Sequence, residues 1–295
     1  MSVFTTAEAT PSRMAGTYRY LLLRGRVQRE SRDTLEQMLM PESLLGAESD
    51  RNPRAMVRAA ITEALAMRLL APEGDEVGLH PGLPTELHDP SAAEARLPLV
   101  MTDLILDPEN PRNHDFAIAL AWYLAQEVGS APGDYPSLEQ AVVRSTGERL
   151  GFNDVTYGQF RDWSRYLGFV WAHAAPQSSA RESRWLVPDP TVQIRWRLPV
   201  VFREPGPPLP IREFVARLGR LCPVLEGGAF RNDMDGRLGV ARETRLSSTT
   251  AHALLRLRDE GELELTLRSD ATALSLPDGT ELVRVSEIAW RGGRV

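Results

Sequence analysis

Apolar positions recur along this chain at two spacings, and the order of those spacings repeats. Met14–Leu23 reads as a short apolar helix. A second helix is predicted over Ser31–Met40, where Ser31 or Asp33 can cap, Leu35, Met38 and Leu39 share a face, and Pro41 stops the run. Asn52-Pro53 supplies a cap and a first-turn proline for a third helix. Along it Met56, Ala60, Ile61, Ala64, Leu65 and Leu69 return every three or four residues. That helix runs into Leu69–Leu79, whose Glu73-Gly74-Asp75 centre is turn chemistry between two short apolar segments and predicts a β-hairpin.

The C-terminal part repeats the pattern. Ile211–Leu221 is an amphipathic helix, and Ser247–Thr250 caps another that reaches Glu260 and is ended by Gly261. Glu262–Leu267 and Thr272–Leu276 then alternate with period two and read as the arms of one hairpin. Between these ends, Asn113–Val128 and Ser137–Leu150 show helical periodicity. A further helix over Thr156–Phe169 has Thr156 as its cap, Phe160, Trp163 and Leu167 inward, and Gly168 as C-cap. Phe169–Trp171 and Arg184–Val187 are the expected hairpin strands around the loop Ala174–Glu182. The prediction is a mainly α fold with small β-hairpins (α+β), built as tandem winged helix-turn-helix domains. A winged-helix-like domain is expected over 1–90, a helical, degenerate one over 91–190, a Pro-rich linker over 191–210 and a third winged helix over 211–295.

Charge changes the picture in two ways. All 34 basic residues of the 295 are arginine. Without lysine there is no P-loop, no Schiff-base enzyme and no Ser-x-x-Lys acylation site, and a typical kinase would lack its phosphate anchor. The net charge of −6 is also unevenly spread: residues 83–150 carry 4 arginines against 11 acids, and 151–212 carry 8 against 5. A domain dedicated to gripping DNA usually shows a stronger basic surplus than this.

Other chemistry is sparse. One cysteine, Cys222, excludes internal disulfides and multi-cysteine metal sites, and reads as a packed thiol. No dinucleotide, nucleophile-elbow or zincin motif occurs, so no cofactor, metal or catalytic residue is expected and the chain is read as non-enzymatic. The pair His114-Asp115 invites a metal phosphohydrolase reading, but it stands at a helix start, where Asp115 suits the helix dipole. No apolar run approaches the ~20 residues of a membrane span, and no signal segment is visible, so a cytoplasmic location is expected.

On the winged-helix template the helix before the hairpin enters the major groove. The first unit would then offer Arg54, Arg58 and Arg68, the second Gln159, Arg161 and Arg165, and the third Ser248, Thr249, His252 and Arg256. Arginine suits bidentate reading of guanine, and short hydroxyls suit phosphate. Trp163, Tyr166, Trp171, Trp185 and Trp196 are expected to pack in the core against the hairpin, not to stack on bases.

Three short motifs, Tyr166-Leu-Gly-Phe169, Val187-Pro-Asp-Pro-Thr191 and Cys222-Pro-Val-Leu-Glu-Gly-Gly228, resemble small winged-helix proteins of bacterial defence and DNA-modification islands. Among these is the DpdG family of the 7-deazaguanine DNA modification and restriction clusters. The resemblance implies an accessory subunit working with ATPase, helicase or nuclease partners and transfers no catalytic residue; double-stranded DNA is a further expected partner on the winged-helix template. The functional expectation is a winged-helix adaptor in such a complex; the competing expectation is a sequence-specific winged-helix transcription regulator.

Overall fold

The computed structural model describes residues 2–25, 27–44, 54–147, 150–174, 184–241 and 243–293. Among these residues helices dominate and the strands are short and antiparallel, giving a mainly helical α+β fold. The first group runs α1 (Pro11–Leu22), β1 (Arg29–Ser31), α2 (Arg32–Leu39), α3 (Ala55–Ala66), β2 (Leu70–Glu73) and β3 (Glu76–Leu79). Ser31 is the cap of α2, its Oγ accepting from the Thr34 amide at 3.2 Å. Leu35 is buried, whereas Met38 is exposed, so the inward face of α2 is narrower than its spacing suggests. The expected cap at Asn52-Pro53 lies outside the described residues. The hairpin turns at Gly74, whose φ of +63° suits a glycine, as the sequence predicts. β1 was not predicted: Arg29-Glu30-Ser31 has no apolar alternation, yet it pairs with β3 to give the sheet order β1-β3-β2.

The second group contains α4 (Ala93–Ile105), α5 (His114–Leu124), α6 (Tyr135–Thr146), α7 (Asp154–Tyr166), β4 (Val170–Ala174) and β5 (Arg184–Pro188). Asn153, not Thr156, caps α7. Asn153 Oδ1 accepts from the Thr156 amide at 3.0 Å, and Thr156 Oγ1 accepts from the Asn153 amide at 2.7 Å. Thr156 is the reciprocal partner three residues on, a capping-box role that a single short polar residue does not announce. Most of the expected loop 174–182 lies outside the described residues. α5 is apolar almost all round and correspondingly buried, with Phe116, Leu120, Trp122, Tyr123 and Leu124 all covered.

The third group begins inside the predicted linker. Thr191–Phe202 is a helix, α8, whose Ile194, Leu198 and Val201 are buried and which packs on α9 (Ile211–Leu221) and α11 (Ser248–Asp259). Its interior Pro199 suggests irregular chain, but the apolar stripe gains more from burial than the helix loses with one amide. A two-residue strand, β6 (Leu209–Pro210), precedes α9, and a helix the periodicity missed, α10 (Ala229–Arg237), precedes α11. The strands β7 (Leu263–Thr266), β8 (Leu274–Asp278), β9 (Glu281–Val285) and β10 (Glu287–Trp290) follow. The two predicted arms do not pair with each other. β7 pairs with β10, and β8 pairs with β9 across Gly279-Thr280, where Gly279 has φ +59°. Alternation marks a strand without naming its partner; the Asp278-Gly279 dipeptide is the stronger hairpin signal. The resulting sheet order, β6-β10-β7, repeats that of the first group, with the last strand of the sheet at its centre between the first and the second.

One junction recurs in all three groups. α3, α7 and α11 each end on a left-handed residue, Arg68 at φ +61°, Gly168 at +77° and Gly261 at +79°. The next amide in each case reaches back to the helix: Leu69 to Ala64 O at 3.0 Å, Phe169 to Ser164 O at 2.9 Å, and Glu262 to Leu257 O at 2.9 Å. This is the Schellman closure, and a strand starts one residue later at Leu70, Val170 and Leu263.

The core is continuous through all three groups. The N-terminal segment is part of it: Val3, Phe4 and Ala9 are buried, and Phe4 meets Phe116 and Phe152 edge-on at 6.4 and 5.3 Å. Cys222 is fully buried, and burial pushes its thiol up to about 12. The native chain should therefore resist a thiol reagent at about pH 8 and react once unfolded in guanidinium. Labelling of the native chain at the unfolded rate would contradict this.

Candidate nucleic-acid interface

The ten arginine, glutamine, hydroxyl and histidine side chains predicted to face DNA separate into inner and outer sets. In the first group α3 turns Val57, Ala60, Ile61 and Ala64 inward and leaves Met56, Arg58 and Thr62 outward. Arg58 Nε donates to Glu36 Oε2 at 2.7 Å while its side chain stays half exposed. Arg54 Nε donates to Met40 O at 3.2 Å, and Arg68 is exposed at the junction between α3 and the hairpin. Glu63 on the same helix is buried and held by Arg112 through two bonds at 2.9 and 2.7 Å. The hairpin tip is acidic, but Arg29 pairs with Glu73 at 2.6 Å and with Glu76 at 3.0 Å.

In the other two groups, three of the ten are buried. Gln159 is covered by the N-terminal segment, its Nε2 donating to Ala7 O at 2.6 Å. Ser248 and Thr249 are buried at the start of α11. Ser248 Oγ accepts from the Val128 amide at 3.0 Å, and Thr249 Oγ1 donates to Leu124 O at 2.6 Å. The N-terminus of α11 is thus docked on the C-terminal end of α5. Arg161 bonds Asp162 at 3.0 Å. Arg165 and His252 are exposed. Arg256 is exposed too and donates to Asp189 Oδ2 and Glu260 Oε1, each at 3.0 Å; the Glu260 bond, then Asp189, raise its pKa.

Arg165 and Arg256, from different groups, come together on one groove of about 520 Å³ that also takes in Trp171 and Trp196. A second groove of about 790 Å³ shares Arg165 and Trp171 and continues to Arg13 at the start of α1. Two of the three motifs noted in the sequence build the floor. Gly168 closes α7, Asp189 Oδ1 accepts from the Thr191 amide at 3.0 Å to start α8, and the Asp189 amide donates to Phe169 O at 2.9 Å. Trp171 and Trp185 are not core: they are 47% and 46% exposed, while Trp163 is fully buried. The alternation Val170, Trp171, Ala172, His173 carried that signal, because on one strand Trp171 and His173 must share the face opposite Val170.

The third motif is structural. A Cβ on Gly219 would stand 2.5 Å from the Gly227 backbone, and one on Gly228 would stand 2.5 Å from Pro223 O, so this loop and α9 touch backbone to backbone. Glu226 within it is buried and bonds the Ser247 amide at 2.9 Å and Thr250 Oγ1 at 2.5 Å. Burial by itself would raise the Glu226 carboxyl, but Arg231 and these hydrogen bonds outweigh it and hold the pKa below the ordinary value. His114 and Asp115 are likewise engaged in packing. The His114 ring lies edge-on to Phe230 at 5.0 Å, and Asp115 accepts from Ser2 Oγ at 2.6 Å. Among the described residues no three His, Cys, Asp or Glu side chains are grouped to hold a metal ion, and no helix is long and apolar enough to cross a membrane.

A protein-family model described as DpdG-like matches residues 1–271. The chain belongs to the DpdG-like family. Membership ties it to the 7-deazaguanine DNA modification (Dpd) system, as the three short motifs imply. The matched span takes in the grooves, α3 and the buried Glu226 loop, and ends ahead of β8. Comparison with curated proteins and with solved structures finds no match.

Proposed function

We propose that the chain is a non-enzymatic adaptor of three winged-helix units that joins partner subunits of the Dpd system (ATPase, helicase or nuclease) and touches duplex DNA through its first unit. The observation that carries this reading is the recurrent junction, in which the last helix of each group closes on a left-handed residue and a strand begins two residues beyond it. The repeated sheet orders β1-β3-β2 and β6-β10-β7 accompany it in the first and third units. Among the described residues the second unit has the hairpin without a third strand, which fits a degenerate copy. Winged helices read DNA with the helix before the wing. In the third unit the start of that helix is occupied by α5, and in the second Gln159 is occupied by the N-terminal segment. The first unit keeps an outward face with Arg54, Arg58 and Arg68.

Arg68 adds a specific reason. The second and third units use glycine at the left-handed position, whereas the first holds an arginine there at φ +61°. A non-glycine residue in that region costs about 1 kcal/mol or more, and strain of this kind is found where a side chain is needed. Arg68→Gly should therefore raise stability by about 1 kcal/mol in a denaturant titration while weakening duplex binding. A variant that is both less stable and equally tight on DNA would refute that assignment.

The adaptor reading is tested with the tagged full chain purified from its native host after nuclease treatment. ATPase, helicase or nuclease subunits of the Dpd system should remain bound. Recovery of nucleic acid alone, or nucleotide turnover or DNA cleavage by the purified chain, would overturn it.

A further inference from the structure

The outer face of the β4–β5 hairpin carries a row of exposed rings. Trp171 and His173 alternate on β4, and Trp185 lies directly across from His173 in the antiparallel register. Val170, before Trp171, and Leu186, after Trp185, are buried on the opposite face. Trp171 and His173 meet edge to face at 5.6 Å. Trp185 is held flat: a Cβ on Gly133 would stand 2.4 Å from its ring, so one face rests on the Gly133 backbone. That backbone is itself fixed, with Gly133 O accepting from Tyr157 Oη at 2.8 Å and from the Leu186 amide at 3.3 Å.

Arginines flank the row at both ends. Arg165 and Arg256 line the groove beside Trp171, and Arg144 lines the groove beside Trp185. Asp189 and Glu260 each engage one nitrogen of Arg256, whose side chain is still 58% exposed. The Trp185 groove is lined otherwise by neutral residues. Arg144 and Arg165 are exposed, so each end of the row offers a guanidinium to an anion, while Arg256 shares its charge with two carboxylates.

We infer that this hairpin face and its flanking arginines bind a single strand of nucleic acid, with bases stacked on Trp171 and Trp185 and phosphates met by Arg144, Arg165 and Arg256. Exposed aromatic planes beside a basic groove are the two parts that sequence-tolerant single-strand binding requires. A duplex keeps its bases stacked inside and offers no free plane to these rings, so the face selects strand over duplex. It is separate from α3, and the inference does not depend on duplex recognition by the first unit.

The test is fluorescence anisotropy with the full chain and labelled oligo(dT), oligo(U) and duplex DNA of about 15 nucleotides, within the length single-strand sites take up. Binding to oligo(dT), oligo(U) or both is expected, with quenching of tryptophan emission and a marked loss of affinity as salt rises. The oligo(dT) and oligo(U) arms say whether the strand is DNA or RNA. Trp171→Ala should weaken it roughly tenfold or more, and Arg165→Ala should lower the salt dependence by about one counterion. Arg237→Ala, at an exposed position on α10, should leave it unchanged. Should Trp171→Ala fail to fold, Arg165→Glu, at an exposed position, makes the same comparison. No binding to either oligonucleotide, binding that survives both substitutions, or a preference for duplex would overturn the inference.

Discussion

Replacing Arg231 with alanine is expected to destabilise the protein by about 3–5 kcal/mol, because it leaves a buried carboxylate without its counter-charge. Arg231 has no exposed surface, and its guanidinium spans three elements. Nε donates to Asp235 Oδ1 at 3.0 Å, Nη2 to Glu226 Oε1 at 3.4 Å and Nη1 to Leu124 O at 3.3 Å. Glu226 in turn accepts from Ser247 at the cap of α11, and Leu124 O, at the end of α5, also accepts from Thr249. The network therefore closes the C-terminal end of α5 and the N-terminal end of α11 at one point, satisfying helix-end groups that would otherwise be buried without partners. The midpoint of a denaturant titration measures the loss; a cost under about 1 kcal/mol would show that the carboxylates find other partners.

The same network sets an acid limit. The Glu226 carboxyl is depressed in the folded chain, so its contribution is fully present above the ordinary carboxylate range of about 4 and is lost as pH falls through the lower folded value. Stability should drop on acidification below that range, and Glu226→Gln should flatten this part of the profile. An unchanged profile would remove Glu226 as its source.

Trp163→Ala is expected to cost about 3–5 kcal/mol, the scale for emptying a large aromatic site in a packed core. Trp163 is fully buried on α7, meets Tyr166 edge-on at 6.2 Å, and its Nε1 donates to Ala9 O at 3.2 Å. The truncation both opens a cavity and releases the N-terminal segment from α7. Trp163→Phe keeps most of the packing and removes the hydrogen bond, so it should cost about 1 kcal/mol more than the volume change alone. Protease cleavage near Ala9 would report the release; a Trp163→Ala chain that melts with the wild type would contradict the packing account.

Much of the helical framework was legible because its signals are local. The 3–4 spacing of Ala60, Ile61 and Ala64 and the turn at Gly74 each act over a few residues and are found where they were read, and the caps fall on Ser31, of the pair Ser31 and Asp33, and on Ser247, of the run Ser247–Thr250. Sequence reasoning failed where a residue's role depends on a distant segment. β1 has no pattern of its own and exists because β3 offers it an edge. α8 looked like linker because Pro199 and the following proline run outweighed an apolar stripe that finds its cover only on α9 and α11.

The predicted DNA contacts divide for the same reason. Gln159 sits on an apparently outward position until Ala7, 152 residues away, covers it, and Thr249 is a plausible phosphate ligand until Leu124, 125 residues away, takes its hydroxyl. Trp171 and Trp185 went the other way, assigned to the core by residue type and left exposed by the strand alternation. The sequence by itself determined the periods, the starts of α2 and α11, the absence of lysine chemistry and the motifs that resemble the family. Tertiary structure alone decided which polar side chains are satisfied inside and which aromatic faces remain in water. Hydrophobic period is a property of a few neighbouring residues, whereas burial is a property of whatever surface folds over them.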